Sequence, residues 1–323
     1  MAGFEPRGRD FYQSAEERGL SPFASRSGSL PLRVGRARRY PEDDTPHRTR
    51  FQLDRDRILY SQSFRKMQYK TLVFVTHEGD LYRTRMTHTL EVMQIARSIS
   101  LAIGLNETLA ESIALGHDIG HAPFGHGGES ELNRIMEEHG GFEHNIQGLR
   151  TVDELEHCYP RFEGLNLCWE TREGLARHRT EFDNPEVPDE FLLYPQPSPE
   201  CQAVNAADII AWCTHDLDDA LRIGLIREDW LEATAREIPL IRNFLEVRGS
   251  AAAHPGWELG ARRADVERKR GVSHLINLLV LAVVRETAQR INKLEIASLE
   301  DVRNAPVPVV AFPTDVWDQV RRL

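Results

Sequence analysis

Apolar residues recur at three- and four-residue steps along much of this chain, and that period constrains the fold more than any other feature. Residues 85–103 carry Val92, Ile95 and Ile99 at helical spacing, and the same spacing returns over 109–117. A step of three to four residues places side chains on one face of an α-helix. The sequence contains no internal repeat and no alternation of strands with helices. The predicted fold class is therefore all-α.

Composition, together with the positions of prolines and glycines, divides the chain into three predicted parts. Residues 1–45 are rich in Arg, Ser, Pro and Gly, which favours a mobile or extended N-terminal arm. Residues 46–225 are predicted to form the helical core, and residues 226–323 a C-terminal helical region that packs on it. Within the core, the segment 183–199 contains five prolines, which predicts a loop or lid. Near the end, residues 307–312 resemble a short β-strand.

Charge limits the classes of partner that the chain is suited to bind. Its formal net charge is −10, so an anionic substrate needs a local concentration of positive charge, supplied by a metal ion or by arginines. Bulk attraction to nucleic acid is not expected. The basic cluster of Arg33, Arg36, Arg38 and Arg39 is interpreted first as a solvated part of the arm. The alternative is a contact with phosphate or with single-stranded nucleic acid.

The sequence also predicts a cytoplasmic protein without a membrane partner. Its four cysteines form no Cys-x-x-Cys pair and are expected to be reduced. The charged N-terminus lacks the apolar stretch of a secretory signal. The most apolar stretch, 275–284, falls within a predicted buried helix at 273–292 and is too short to span a bilayer.

Polar side chains occupy core-facing positions on three of the predicted helices. His88, His117 and Asp208 lie where apolar residues are expected, and Asp118 directly follows His117. A single histidine at such a position is more often a satisfied core residue, but a buried carboxylate needs a partner. Three such helices together indicate a shared divalent metal. The mixed nitrogen and oxygen ligands suit Mg, Mn, Fe, Ni or Zn, and the sequence does not choose among them.

A second group of ionisable residues follows within the run 117–129. His126 is the best candidate for a general acid, because imidazole exchanges a proton near neutral pH. Glu129 lies one helical turn later and is expected to orient that imidazole. His121 is expected to supply a further cation or donor near phosphates. Each histidine taken alone would be interpreted as a surface residue at a helix end.

These residues carry a resemblance to a known family. The pattern His88, His117-Asp118 and Asp208 resembles that of HD-domain phosphohydrolases. Over about residues 48–220, the chain is more closely similar to bacterial dGTPase-like deoxynucleoside triphosphate triphosphohydrolases. The matching stretches are 51–58 (FQLDRDRI), 64–71 (FRKMQYKT), 77–80 (HEGD), 83–92 (RTRMTHTLEV), 117–129 (HDIGHAPFGHGGE), 141–145 (GFEHN), 164–167 (GLNL), 207–208 (AD) and 215–216 (HD).

The resemblance implies hydrolysis of a dNTP to a deoxynucleoside and inorganic tripolyphosphate, with water attacking the α-phosphorus. It implies that His126 is the catalytic acid/base and that Glu129 is its partner. A homo-oligomer, a dNTP substrate and a dNTP activator are expected with it. The four implied metal ligands are His88, His117, Asp118 and Asp208. The implied substrate-binding residues are Lys70, Leu72, Arg85, His121, His144, Trp212 and Asp216.

Two departures from the family's pattern fall where the sugar is expected to bind. Leu72 stands where the family usually has a Gln expected to hold the 3′-hydroxyl, and Leu offers no hydrogen bond. Trp212 replaces a Tyr that packs against the sugar. These changes predict hydrolysis with an altered or relaxed sugar and base preference. Relatives commonly continue further, so the C-terminal helical region is expected to be shorter here.

Two other functions remain open at this point. The first is another HD-type nucleotidase or phosphodiesterase, which would release orthophosphate or a nucleotide. The second is a sensor that binds a nucleotide or a single strand without turnover. A complete ligand set together with His126 favours the triphosphohydrolase, because a binding protein does not need a general acid.

Overall fold

The computed structural model describes residues 7–31, 33–73, 82–179, 186–249 and 262–323. Across these ranges the regular structure is helical, apart from two isolated β-bridges that join Arg38 to Cys168 and Thr71 to Thr84. The all-α prediction is confirmed. The α-helices are α1 (Arg9–Gly19), α2 (Arg50–Tyr60), α3 (Gln62–Lys66), α4 (Arg85–Ile103), α5 (Glu107–Gly116), α6 (Gly125–Ile135), α7 (His144–Arg150), α8 (Trp169–Ala176), α9 (Pro199–Arg222), α10 (Glu228–Thr234), α11 (Pro239–Gly249), α12 (Arg263–Lys293), α13 (Leu299–Asn304) and α14 (Thr314–Val320).

Helix α4 carries His88, the first of the candidate site histidines, and its ends follow from its sequence. At the N-terminus, Thr84 and Thr87 form a reciprocal capping box that satisfies two otherwise unpaired N–H groups. At the C-terminus, Gly104 adopts a left-handed conformation with φ of 74°, which glycine tolerates without steric cost. The buried face includes His88 and Val92, and it packs against α5 and α9.

Helix α5 places the His117-Asp118 pair deep in the protein. Asn106 accepts a hydrogen bond from the Leu109 N–H and caps the helix, as its sequence position predicts. A turn follows α5, and there Gly120 lies against the backbone of α7. A Cβ at Gly120 would lie 2.1 Å from the carbonyl oxygen of His144. Only a glycine therefore allows α7 to approach this turn closely enough to bring its histidine to the site.

Helix α9 spans the core and carries Asp208. Ser198 caps it and Pro199 occupies its first turn. Helix α12 packs across α9 and α4, so the C-terminal region covers the core. Among the described residues, α12 alone has a length and composition suited to crossing a membrane, and 33% of its most apolar window is buried in the protein. This is weak evidence for a membrane span, because ordinary core helices meet the same criterion.

The N-terminal region differs from the predicted extended arm. Residues 9–19 form α1, and the segment that follows is folded onto the core. Ser25 donates to the buried carboxylate of Glu200, and Phe23 and Ala24 belong to the main hydrophobic core. The prediction was wrong because composition does not reveal contacts between residues distant in sequence.

The basic cluster is only partly solvated, because Arg33 and Arg36 are exposed whereas Arg38 and Arg39 are half-buried. The Arg38 side chain is 9% exposed, and its Nη1 lies 2.6 Å from Oδ1 of Asp54. Arg39 pairs with Asp153, and Arg33 donates to the carbonyl oxygen of Leu193. These arginines are engaged within the protein, which reduces the positive charge offered to a nucleic acid.

Two further predictions concern a strand at residues 307–312 and a loop at residues 183–199. Residues 307–312 form no strand in the described structure; the N–H groups of Val309 and Val310 instead donate to Oε1 of Gln202. The proline-rich segment is a loop with one 3₁₀ turn, Asp189–Phe191, over the part from residue 186 onward. Its residues 183–185 lie outside the described ranges.

Candidate metal and phosphate site

The three core-facing polar residues meet at one point. His88 comes from α4, His117 from the turn after α5, and Asp208 from α9. The Oδ1 atom of Asp208 lies 2.9 Å from Nε2 of His88 and 3.7 Å from Nε2 of His117. Two atoms that each lie about 2.1 Å from one cation are about 3 to 4 Å apart. The spacing therefore fits ligands that share a single metal ion.

The hydrogen bonding of His117 supports this interpretation most directly. Its Nδ1 lies 2.6 Å from the carbonyl oxygen of Ala114, and since that oxygen can only accept, Nδ1 carries the proton. Burial lowers the pKa of His117, which favours the neutral ring. Nε2 then presents a buried lone pair, and it has no hydrogen-bond donor among the described residues. A cation is the partner that such a lone pair suits.

Asp118 approaches the same point but is also held by an arginine. Its Oδ1 lies 3.6 Å from Nε2 of His117, and its Oδ2 accepts a hydrogen bond of 2.9 Å from Nη1 of Arg85. Burial opposes ionisation of Asp118, but Arg85 and the neighbouring histidines hold its pKa well below the usual range. Asp118 is therefore a carboxylate. It lies outside the three residues whose ligand atoms are all mutually close, so its place as a fourth ligand stays a prediction.

Asp208 is oriented by histidines on both of its oxygens. Besides the contact of Oδ1 with His88, its Oδ2 lies 3.2 Å from Nε2 of His178. Burial would raise the pKa of Asp208, but these two hydrogen bonds lower it well below the usual range. Burial likewise opposes the charged form of His88, yet Asp208 and Asp118 raise the pKa of His88 overall. The ionised carboxylates of Asp208 and Asp118 thus give this point a negative potential, which suits a divalent cation.

The residues predicted to transfer a proton lie beside this cluster at the start of α6. Glu129 accepts from His126 through Oε2 at 3.2 Å and from His144 through Oε1 at 2.9 Å. Burial opposes ionisation of Glu129, but the two histidine contacts lower its pKa. Gly125 opens the helix with φ of 59°, and this turn brings His126 to the cavity. Glu129 orients His126 as the sequence predicts, and it also orients His144.

His121 lies between the two groups in a neutral state. Its ring stacks on that of His144, with the centroids 4.1 Å apart. Burial, together with the charge of Arg85, lowers the pKa of His121 to about 2 despite nearby Asp118. The alternative that His121 supplies a cation is therefore not supported; its remaining role near a phosphate is that of a neutral hydrogen-bond donor.

One cavity joins both groups. It is open to solvent, and its walls combine imidazoles, a carboxylate pair and apolar side chains. Its lining residues are Leu72, Val73, Arg85, His88, Asp118, His121, Gly125, His126, His144, His178, Asp208, Ile209, Trp212, Trp317, Val320 and Arg321.

Comparison with known proteins identifies the family. The HD domain profile matches residues 85–213. A deoxyguanosinetriphosphate triphosphohydrolase-like protein of Syntrophus aciditrophicus is 48% identical over 311 residues, covering 96% of this chain and 75% of the relative. Proteins of the same name from Geobacter metallireducens and Thiobacillus denitrificans are 44% and 45% identical, over 96% and 95% of this chain and 77% and 78% of their own lengths.

This chain belongs to the deoxyguanosinetriphosphate triphosphohydrolase-like family. The structure brings most residues implied by that resemblance to the same cavity. Leu72 and Trp212, the two departures from the family pattern, both line it, and Trp212 is partly exposed there. The motif at residues 77–80 lies outside the described residues.

Two of the implied substrate-binding residues are not among the described residues that line the cavity. Lys70 donates from Nζ to the carbonyl oxygen of Ile119, and it is absent from the cavity lining within the described residues. Asp216 is also absent from that lining. Burial and then the charge of Asp219 raise the pKa of Asp216 to about 6. The implied sugar contact of Asp216 stays a prediction.

Sequence reasoning missed several residues around the site. His178 follows the end of α8 and carries no periodic signal, so only the fold brings it to Asp208. Helix α14 and the residue after it contribute Trp317, Val320 and Arg321 to the cavity, more than 100 residues after Asp208 in the chain. His215 was recognised only as part of the matching stretch 215–216, and its contact with His88 was not predicted, although it lies two helical turns after Asp208 on the same helix face.

Proposed function

We propose that this family member hydrolyses a deoxynucleoside triphosphate to a deoxynucleoside and inorganic tripolyphosphate. The observation that carries the proposal is the division of one cavity into two chemical groups. Buried ligand atoms suited to a metal lie on one side, and an oriented His126–Glu129 pair lies on the other. Hydrolysis of a phosphoester needs both an electrophilic centre and a proton for the leaving oxygen.

The metal would be held by His88, His117 and Asp208, with Asp118 beside them. The neutral Nε2 of His117 and the ionised Asp208 are the donor types that Mg, Mn, Fe, Ni and Zn accept, with differing preference. When bound, a divalent ion polarises a phosphoryl oxygen and lowers the pKa of water. The protein's own contribution is to fix these donors by buried hydrogen bonds.

The remaining residues act on the triphosphate and the leaving group. Arg85 and the neutral His121 line the cavity beside Asp118 and are expected to contact phosphate oxygens. Water attacks the α-phosphorus, and the bond from that phosphorus to the 5′ oxygen breaks. His126 donates a proton to the departing 5′ oxygen while Glu129 stabilises the charged imidazole. The products are the deoxynucleoside and tripolyphosphate.

Product analysis tests this proposal. Purified protein is incubated with Mg²⁺, Mn²⁺ or Zn²⁺ and with each dNTP and NTP, and the products are separated by ion exchange. Tripolyphosphate and nucleoside in equal amounts are the expected result. Orthophosphate or a nucleoside monophosphate would instead indicate another HD-type phosphohydrolase, and binding without any product would indicate a nucleotide sensor.

Substrate preference is proposed from Leu72 and Trp212. Neither side chain reproduces the family's usual Gln and Tyr, so we propose relaxed discrimination of sugar and base. A cytoplasmic location, a homo-oligomer and a dNTP activator stay predictions. Sedimentation velocity with and without dNTP would measure the assembly, and turnover measured with pairs of dNTPs would reveal an activator.

A further inference from the structure

A chain of hydrogen bonds leads outward from His88, away from the substrate cavity. Nδ1 of His88 lies 3.3 Å from Nδ1 of His215, and Nε2 of His215 lies 2.5 Å from Oε2 of Glu91. Both histidines are buried, whereas the Glu91 side chain is 43% exposed. None of these contacts takes part in the chemistry proposed above.

The number of protons that each group carries determines which atom donates in each of these hydrogen bonds. A carboxylate only accepts hydrogen bonds, so Nε2 of His215 must donate to Glu91. A neutral His215 then has a lone pair on Nδ1, which accepts from the Nδ1–H of His88. Nε2 of His88 lies 2.9 Å from Oδ1 of Asp208 and donates to it when no cation is bound. With a metal bound, His88 would keep its proton on Nδ1 and give its Nε2 lone pair to the ion. The opposite order would put a proton on the atom that has to bind the metal.

Glu91, at the outer end of this series of hydrogen bonds, is also held in place. Arg83 donates from Nε to the same Oε2 of Glu91 at 3.0 Å. Its Nη1 lies 2.7 Å from Oδ1 of Asp219 and 3.0 Å from Oδ2 of Asp218, both on α9. Arg83 thus ties Glu91 of α4 to the helix that carries Asp208 and His215. The exposed position of Glu91 is therefore restrained by protein contacts on two helices.

We propose that His215 and Glu91 are positioning residues that hold His88 in the Nδ1–H tautomer and so direct its Nε2 toward the metal. This inference rests on the proposed metal centre and adds residues beyond the ligands themselves. Removal of such outer partners typically weakens metal affinity about 10–100-fold. Neither residue touches substrate, so the effect should be on metal binding before it is on catalysis.

The variants are chosen to separate the tautomer from the fold. His215→Phe keeps a planar ring but removes the acceptor. His215→Asn keeps an acceptor near the position of Nδ1. Glu91→Gln keeps an acceptor for the Nε2–H group but removes the charge, and Glu107→Gln is a matched change on the first turn of α5, where the Glu107 side chain is 35% exposed. The dissociation constant for Zn²⁺ is measured by competition with a chelator, and folding is checked by circular dichroism and thermal denaturation without metal.

We expect zinc affinity to fall about 10–100-fold in His215→Phe, less than about tenfold in His215→Asn and Glu91→Gln, and not at all in Glu107→Gln. A second measurement covers the case in which His215→Phe does not fold. Long-range ¹H–¹⁵N correlation spectra of the zinc-loaded wild-type protein should report a protonated Nδ1 and a metal-bound Nε2 for His88.

Two results would overturn the proposal in distinguishable ways. Zinc bound equally well by folded His215→Phe, or bound through Nδ1 of His88, removes the role of His215 and Glu91 while the metal centre stands. Failure of the wild-type protein to bind zinc, manganese or magnesium removes the metal centre itself and this inference with it.

Discussion

The two groups that share the cavity are built in opposite ways. The His117 side chain in the ligand cluster is 1% exposed, whereas the His126 side chain in the proton-transfer pair is 60% exposed. Each residue of the cluster is fixed by a further contact: His215 for His88, Ala114 for His117 and His178 for Asp208. His126 is fixed by Glu129 and by its place at the start of α6.

The difference in exposure agrees with the chemical role proposed for each group. A metal site needs several ligand atoms fixed to within a fraction of an ångström, which burial and packing provide. A general acid must meet the substrate and exchange its proton with solvent after every turnover, which exposure allows. Changes in the buried group should therefore abolish metal binding, and changes in the exposed group should affect turnover while metal binding is kept.

The largest effect is expected from Asp208→Ala. It removes the carboxylate that contacts His88 and His178, so bound metal should be lost. Loss of several kcal/mol of transition-state stabilisation corresponds to a fall in kcat/KM of about 10³-fold or more. Metal content by mass spectrometry and turnover are measured together, with the exposed Asp229→Ala as control. Retained metal and activity in the Asp208 variant would refute the ligand assignment.

His126→Ala should separate the two groups most clearly. Removing a general acid typically reduces the rate about 10²–10⁴-fold, and the metal site does not depend on this side chain. We expect kcat to fall by that factor with an unchanged metal dissociation constant. His139→Ala, at another exposed histidine, is the control. Unchanged kcat would exclude His126 as the proton donor.

The sequence predicts those residues of the site that follow a local pattern and not the others. The convergence of His88, His117 and Asp208 was predictable because these residues interrupt apolar stripes, and the His126–Glu129 contact because the two residues have helical spacing. The positions of His178, Trp317, Val320 and Arg321 were not, because these residues reach the site through tertiary contacts without a local pattern. The N-terminal helix, and the buried contact that Ser25 makes after it, escaped prediction for the same reason.

The pH dependence of stability tests the electrostatics of α9 at Asp216, which lies outside both groups. The pKa of Asp216 is raised to about 6 by burial and then by Asp219, above its usual value of 3.8. The folded state therefore binds this proton more tightly than the unfolded state. Asp216 therefore destabilises the folded protein increasingly as the pH rises from 3.8 to about 6. Above that pH the destabilisation is complete and stays constant.

Asp216→Asn removes this charge and should stabilise the protein. The free energy of unfolding should rise by about 1–3 kcal/mol at pH 8 and by less at pH 5. Urea denaturation at both pH values measures the difference, with the exposed Asp189→Asn as control. An equal effect at the two pH values would mean that Asp216 titrates outside this range.

The smallest effect is expected at the sugar end of the cavity. Leu72→Gln introduces the amide that the family usually has there, and one hydrogen bond contributes about 1 kcal/mol, or roughly fivefold in affinity. KM for a dNTP should decrease by that factor relative to KM for the matching 2′,3′-dideoxynucleoside triphosphate, which lacks the 3′-hydroxyl. Val73→Gln places the same amide on the neighbouring residue of the cavity wall and should not do so. Equal changes in both variants would argue against a sugar contact at position 72.

The position of the broken bond tests the central claim that the two groups act on either side of the α-phosphorus. Hydrolysis is run in ¹⁸O-labelled water with the dNTP that is turned over fastest, and the products are analysed by ³¹P NMR and mass spectrometry. We expect one ¹⁸O atom in the tripolyphosphate, on a terminal phosphorus, and none in the deoxynucleoside. Label in the 5′-hydroxyl of the nucleoside, or orthophosphate as the labelled product, would contradict the account.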